Sequence, residues 1–330
     1  MRTLVITDLH LNSRIVGLLD AQLKCISGIY SKESPDDVII MGDVFMYRKP
    51  SPKELLTFKA ILDSMSGSKN IYVIRGNHDS ETKADDGITA LSLFEDESVK
   101  IIEHTYVDDE NRRVFIPHYE NEKTIISALE MVPSDYTVFG HFGYIGCLNS
   151  AGDADFSLTL SNFNSTTYLG HIHGFCERQG GLQEPYSKVV CLGTPYTTNY
   201  GECFKDNFYA ILDNGSVEYK LVDSGPRHLL YPVQDLERNL ETINDPNYFT
   251  FLRVLVDSNH CPIPYDKLKA KYVDIKYSPV FNEEDISSYD PDRDLFSLND
   301  IIISDYVEAA NSTISTEVLM EGYRLLKDEN

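Results

Sequence analysis

The chain has 330 residues, 42% of them hydrophobic and 11% aromatic, with a mean hydropathy of -0.27. That composition belongs to a folded globular protein, long enough for one large domain and a smaller one, and no apolar run is long enough to span a bilayer. Twenty-nine Lys and Arg against 52 Asp and Glu give a net charge of -23. Such a surface repels polyanions at long range, so a nucleic-acid partner needs a local basic patch, a bound metal or a second protein.

The opening MRTLVITDLHLNS lacks the apolar core and cleavage site of a signal peptide and reads as a strand. Six cysteines (Cys25, Cys147, Cys176, Cys191, Cys203, Cys261) show no CxxC spacing. That argues against a zinc ribbon or a disulfide scaffold and points to reduced thiols in a cytoplasm.

In chain order, TLVIT is a buried strand ending at Asp8, followed by the helical pattern VGLLDAQLKCISGIY. DDVIIMGDVF is a second apolar run, closing on Gly42-Asp43. SPKELLTFKAILDSM is helical, with Leu55, Phe58, Ile61, Leu62 and Met65 at helical spacing behind a Ser-Pro start. KNIYVIRGNHD is the third run, in which Ile71 to Ile74 lead into Gly76-Asn77-His78-Asp79. DYTVFGHFG is the fourth and STTYLGHIHG the fifth. Strands alternating with helices define an α/β layered domain, in which functional groups gather at the carboxyl ends of strands. KVVCLGTPY and NFYAILDNGSVEYKLV are further strands, the latter a hairpin turning at Asn214-Gly215.

The main domain is expected over 1–224. FTFLRVLVDS and PYDKLKAKYVDIKYSP suggest a small α+β cap over 225–280. Residues 281–297 are polar and acidic, a solvated linker. Residues 298–330 read as two short helices broken at Asn311-Ser312, with too few apolar residues for a core of their own. There is no internal repeat.

The five strand ends collect Asp8 and His10, then Asp43, Asn77 and His78, His141, and finally His171 with His173. Carboxylate, imidazole and amide oxygen without thiolate suit Mn²⁺, Fe²⁺ or Zn²⁺. Seven ligands and a spare histidine exceed what one ion takes. They fit two ions about 3.5–4 Å apart that share a carboxylate, the clamp used in phosphoryl transfer. Each short motif alone is noise, whereas all five in order, each closing an apolar run, are specific. His171 and His173, at i and i+2, share a strand face so that each reaches a different ion.

These motifs resemble those of the calcineurin-like metallophosphoesterases, whose fold is a β-sandwich flanked by helices. The resemblance implies Asp8, His10, Asp43 and His173 at one metal and Asp43, Asn77, His141 and His171 at the other. His78 is then unligated, donating to the phosphate or the leaving oxygen. Asp79 is expected either to orient His78 or to cap a helix. His104, His118, His228 and His260 match no motif and are read as structural or surface residues.

Within that superfamily the chain is similar to SbcD-type DNA repair nucleases, particularly the recombination nuclease subunits of tailed phages. GDVFMYRKPSP, GNHD and LGTPYTTNYGE carry the likeness, together with the order of domain, small cap, polar linker and terminal helix pair. Many cellular members have a His where this chain has Met46. The likeness implies Mn²⁺-dependent 3′-to-5′ exonuclease and single-strand endonuclease activity, in a host cytoplasm if phage-encoded. It also implies a homodimer, for which the helices around Leu55–Met65 and Ile88–Phe94 are the expected seam, and an SMC-like ABC ATPase docked by the C-terminal helices. Arg48, Lys49 and Lys53, with Arg112 and Arg113, are the expected DNA phosphate contacts. Two alternatives stay open. One is a small-molecule phosphodiesterase or phosphatase, which the acidic charge favours. The other is a non-catalytic scaffold, against which the complete ligand set argues.

Overall fold

Period-two burial builds the centre of the molecule. In β1 (Arg2–Ile6), β2 (Asp37–Ile40) and β3 (Asn70–Ile74), residues Leu4, Ile6, Val38, Ile40, Ile71 and Val73 face one core. Val5, Ile39, Tyr72 and Ile74 face another. The first core is closed by α1 (Leu18–Glu33) and α2 (Pro52–Ser64), through Cys25, Ile26, Ile29, Phe58, Ile61 and Leu62. Helix α2 opens on a capping box: the Ser51 hydroxyl accepts from the Glu54 N–H at 3.3 Å, and Glu54 Oε2 accepts from the Ser51 N–H at 2.6 Å. The apolar face expected at a dimer seam is thus mostly core, because Phe58, Ile61, Leu62 and Met65 are buried while Leu56, Ile88 and Leu93 are exposed.

The computed structural model describes residues 1–147, 157–182, 186–203, 205–256 and 263–277. All lie in the compact unit Met1–Ser278. The unit Pro279–Asn330, which carries the expected acidic linker and terminal helices, lies outside the described residues.

After β4 (Val99–Ile102) the chain forms a second sheet from β5 (Tyr106–Asp108) and β6 (Arg113–Ile116). It continues through α3 (Glu122–Glu130), β7 (Thr137–His141), β8 (Thr167–Gly170), β9 (Cys176–Gly180) and β10 (Ser187–Cys191). Strands β11 (Phe208–Asp213) and β12 (Ser216–Leu221) return to the first sheet. Their hairpin turns at Asn214-Gly215, both left-handed, with φ of 47° and 87°. The sheet orders are β12-β11-β1-β2-β3-β4 and β5-β6-β7-β8-β10-β9. Their inner faces meet through Val5, Ile39 and Tyr72 on one side and Phe115, Phe139 and Tyr168 on the other. Phe115 stacks on Tyr72 at 4.8 Å and on Phe139 at 5.6 Å. The fold is therefore an α/β sandwich of two mixed sheets with helices outside, the class the sequence predicts.

Strands β1 to β4 are mutually parallel, as are β6, β7, β8 and β10. A third, all-parallel sheet of β13 (Gly225–Pro232), β14 (Tyr248–Val256) and β15 (Tyr272–Tyr277) has its own small core around Leu236, Ile243, Leu252 and Val254. Phe249 and Phe251 of β14 pack on Leu18 of α1. Among the described residues no helix is long and apolar enough to cross a membrane.

Candidate metal centre

Each candidate ligand sits where a strand of the sandwich stops and the backbone turns sharply. Asp8, His10, Asp43 and His171 have left-handed φ of 53°, 43°, 49° and 74°. Non-glycine residues held there cost about 1–3 kcal/mol each and persist only where the surroundings enforce them. Here the Asp8 N–H donates to the Gly42 carbonyl at 3.0 Å and the His10 N–H to that of Asp43 at 2.9 Å, so two loops lock each other. Glycine is required for the approach: a Cβ at Gly42 would strike the His141 ring, and one at Gly76 the Asp43 carboxylate.

These loops bring the residues together. Asp8, His10 and His173 place one ligand atom each within 4.8 Å of one another, as do Asp43, His141 and His171, and likewise His10, Asp43 and His78. Asp43 lies between the sets: Oδ2 is 3.8 Å from His10 Nε2 and Oδ1 is 3.3 Å from His141 Nε2. Asn77 Oδ1 is 3.1 Å from His141 Nε2 and 3.0 Å from His171 Nδ1. All seven predicted metal residues thus share one site.

The donor set fits cations. His141 Nδ1 lies 2.7 Å from the Met41 carbonyl oxygen, which can only accept, so Nδ1 carries the proton and Nε2 faces Asn77 and Asp43. His173 Nδ1 likewise lies 2.6 Å from Glu202 Oε1, leaving Nε2 3.0 Å from His10 Nε2. The lone pair on His173 Nε2 takes either the His10 Nε2–H or a cation. Without metal, protons take that place unevenly. Burial opposes charge on His141, but Asp43 and Asp8 lift it to about 9. Burial pushes His10 down to about 3 and His171 to about 4, and raises the Asp8 carboxyl. Against its own burial, Asp43 is held well below the carboxylate range by His141.

The remaining predicted residues divide. His78 Nδ1 is anchored 2.6 Å from the Met46 carbonyl, while its side chain, 37% exposed, presents Nε2 4.0 Å from Asp43 Oδ2. Asp79 neither orients His78 nor caps a helix. It is buried, and its carboxylate accepts from the N–H groups of Gly76 (2.9 Å), Phe45 (3.1 Å) and Val44 (3.3 Å), tying the Asp43 and Asn77 loops together. Burial and the nearby Asp43 raise it to about 6.

The expected phosphate contacts fare less well. Arg48 donates to the Ser80 and Thr82 carbonyls at 3.2 and 2.8 Å and pairs with Glu120, so its guanidinium is already engaged. Arg112 pairs with Asp135. Arg113 is buried and pairs with Asp37 at 3.0 Å, at the amino ends of the strands, the edge opposite the site. Lys49 and Lys53 remain exposed.

Two residues beside the site were not read as part of it. His118 ends β6 as the ligands end their strands, and its ring lies 6.1 Å from that of His171. RRVFIPHYE carried that signal, but with Pro117 in the place of a glycine. Glu202 lies in LGTPYTTNYGE, 29 residues after His173, and nothing in spacing pairs the two. From His10, a narrow cleft of ≈ 40 Å³ runs past Met46 and Thr198 to His228 and Phe251 at the third sheet.

An α/β sandwich with two His/Asp donor sets joined by one carboxylate defines a metal-dependent hydrolase of the dimetal class. A model of the calcineurin-like phosphoesterase family matches residues 1–175, more than half of the chain, and the chain belongs to that family. Among solved structures, it is similar to a dimetal phosphatase from Danio rerio at 13% identity, over 67% of this chain and 95% of that one, with a TM-score of 0.41. It is also similar to the nuclease MPE of Pseudomonas putida at 13% identity, over 66% and 87%, with a TM-score of 0.33. No curated protein sequence matches the chain.

Proposed function

We propose that the chain is a two-metal phosphodiesterase acting on DNA ends and single strands, the nuclease subunit of a recombination or repair complex with an SMC-like ABC ATPase. Asp43 carries the hydrolytic part of this reading, since its two oxygens face different donor sets at 3.8 and 3.3 Å. Divalent ions bound there neutralise phosphoryl oxygens and lower the pKa of water. His78, fixed through Nδ1, offers Nε2 to the phosphate or the departing 3′ oxygen. Asp79 keeps the two ligand loops in register.

The DNA part rests on the GDVFMYRKPSP, GNHD and LGTPYTTNYGE stretches and on the chain that follows the third sheet. Mn²⁺, 3′-to-5′ polarity, a homodimer and ATPase docking through residues 298–330 belong to the same reading. At a net charge of -23 the DNA must be drawn in by the bound ions and by the partner, not by this surface alone.

One observation favours a small-molecule phosphodiesterase or phosphatase instead: Arg48, Arg112 and Arg113 are all engaged within the protein. The deciding experiment digests end-labelled duplex and single-stranded DNA with Mn²⁺, beside a chromogenic phosphodiester, with and without the ATPase. Shortening of DNA that strengthens with the ATPase is expected. Brisk hydrolysis of the chromogenic ester with intact DNA under every condition would move the assignment to the small-molecule class.

A further inference from the structure

We propose that Glu202 is a positioning residue for the ion at Asp8, His10 and His173, and that the third sheet holds Glu202 in place through Tyr200. The inference rests on the two-metal reading of the site.

Glu202 is a carboxylate with 1% of its surface exposed. Its Oε1 accepts from His173 Nδ1 at 2.6 Å, Asn199 Nδ2 at 2.9 Å and the Thr198 hydroxyl at 3.1 Å, and its Oε2 accepts from the Thr198 N–H at 2.7 Å. That network fixes the carboxylate, which in turn fixes the tautomer and the ring plane of His173. A metal-bound imidazole whose outer N–H meets a carboxylate is a stronger and better oriented ligand than one without. The other histidines are held differently. His141 and His78 rest on the backbone carbonyls of Met41 and Met46, and His10 Nδ1 is buried without a hydrogen-bond partner. Of these four histidines, His173 is the one whose outer nitrogen meets a carboxylate.

The segment that delivers Glu202 is a single 3-10 turn, Tyr200–Glu202, too short to hold its own shape. Its shape comes from the third sheet. The Arg253 guanidinium sits 3.9 Å over the Tyr200 ring, and the Arg253 Nε donates to Asp274 at 2.7 Å. The His228 ring meets Tyr200 edge-on at 4.8 Å and stacks on Phe251 at 4.5 Å. The Thr197 hydroxyl accepts from the His228 N–H at 2.7 Å. Residues 197–202 therefore lie between a metal ligand and β13–β14, so a shift of those strands reaches the ion through Tyr200 and Glu202.

The test is calorimetric titration of the full chain with Mn²⁺, with bound metal counted by elemental analysis. A His141→Ala variant identifies which binding phase belongs to which ion. Glu202→Ala should weaken the ion at His173 by about 10–100-fold and leave the other near its wild-type affinity. Glu202→Gln keeps an acceptor for Nδ1–H but loses the charge, and should fall between wild type and Ala. Arg253→Ala, at a residue that meets Tyr200 and Asp274, should weaken the same ion by about 3–10-fold, less than removal of the carboxylate itself. Wild-type affinity at that ion in Glu202→Gln overturns the proposal, even where the Ala variant does not fold. Equal weakening of both ions overturns it too, because that is general disruption. Wild-type affinity in Arg253→Ala removes the link to the third sheet. Fewer than two ions in the wild-type chain would instead refute the two-metal reading.

Discussion

Charge is buried at both edges of the sandwich, and the two edges treat it in opposite ways. At the amino ends, Arg113 meets Asp37 at 3.0 Å and Thr3 at 2.9 Å, and Asp108 accepts from Tyr72 and Asn111 at 3.2 and 2.8 Å. Every one of those carboxylates has its donor, and the edge is finished. At the carboxyl ends, the only ion-pair partners of Asp8 and Asp43 among the described residues are histidines, with no lysine or arginine. The outer nitrogens of His141, His78 and His173 are turned to fixed acceptors, so the inner ones point at each other and at the carboxylates. A buried carboxylate says little by itself. What marks the candidate edge, among the described residues, is that its buried carboxylates are met by histidines and not by lysine or arginine.

Four perturbations test that contrast, the largest effect first. Asp43→Asn removes the charge shared by both donor sets, so hydrolysis of a chromogenic phosphodiester should fall to background and at least one ion should be lost. Two bound metals with near-normal turnover would break the bridging assignment. His78→Gln should keep both ions while slowing turnover by about 10²–10⁴-fold. Because His78 also approaches His10 and Asp43, a fall in metal content would make it a ligand instead. Arg113→Ala strands Asp37 at the finished edge and should cost about 3–5 kcal/mol in denaturant unfolding, with metal content unchanged. Altered metal affinity there would show that the two edges are not independent. Chelation should lower stability by about 2.7 kcal/mol for each ion previously held at 100 times its Kd. In thermal unfolding that is a drop of roughly 5–10 °C per ion, and an unmoved transition would mean that metal does not stabilise the fold.

The sandwich and the gathering of the seven candidate ligands were legible because two local rules coincide: period-two burial ends a strand, and a glycine followed by Asp, Asn or His marks the loop beyond it. What the sequence did not reveal has equally local causes. Arg112 and Arg113 precede the run VFI, whereas every ligand follows its run, so Arg113 had to fall on the opposite edge. Asp79 is adjacent to His78 in sequence, but its side chain turns to backbone N–H groups that no spacing rule reveals. Arg48 reads as a free cation until the folded chain brings Glu120 and two carbonyls around it. Glu202 depends on a contact across strands and a one-turn helix, which carries no periodic signal.

The way the first sheet closes decides which piece of this chain can stand alone. Strand β1 has β2 on one side and β11 on the other, with Arg2 opposite Asp213 and Val5 opposite Ala210. A fragment ending just after His173 would contain every predicted ligand and nearly the whole span matched by the family model. It would also leave the strand that carries Asp8 and His10 with a bare edge, β8 without β10, and His173 without Glu202. During synthesis, therefore, the ligand list is complete well before the sheet that must hold it. Made as a separate product, that fragment should aggregate, and the smallest soluble, metal-binding piece should extend through the β11–β12 hairpin to Leu221.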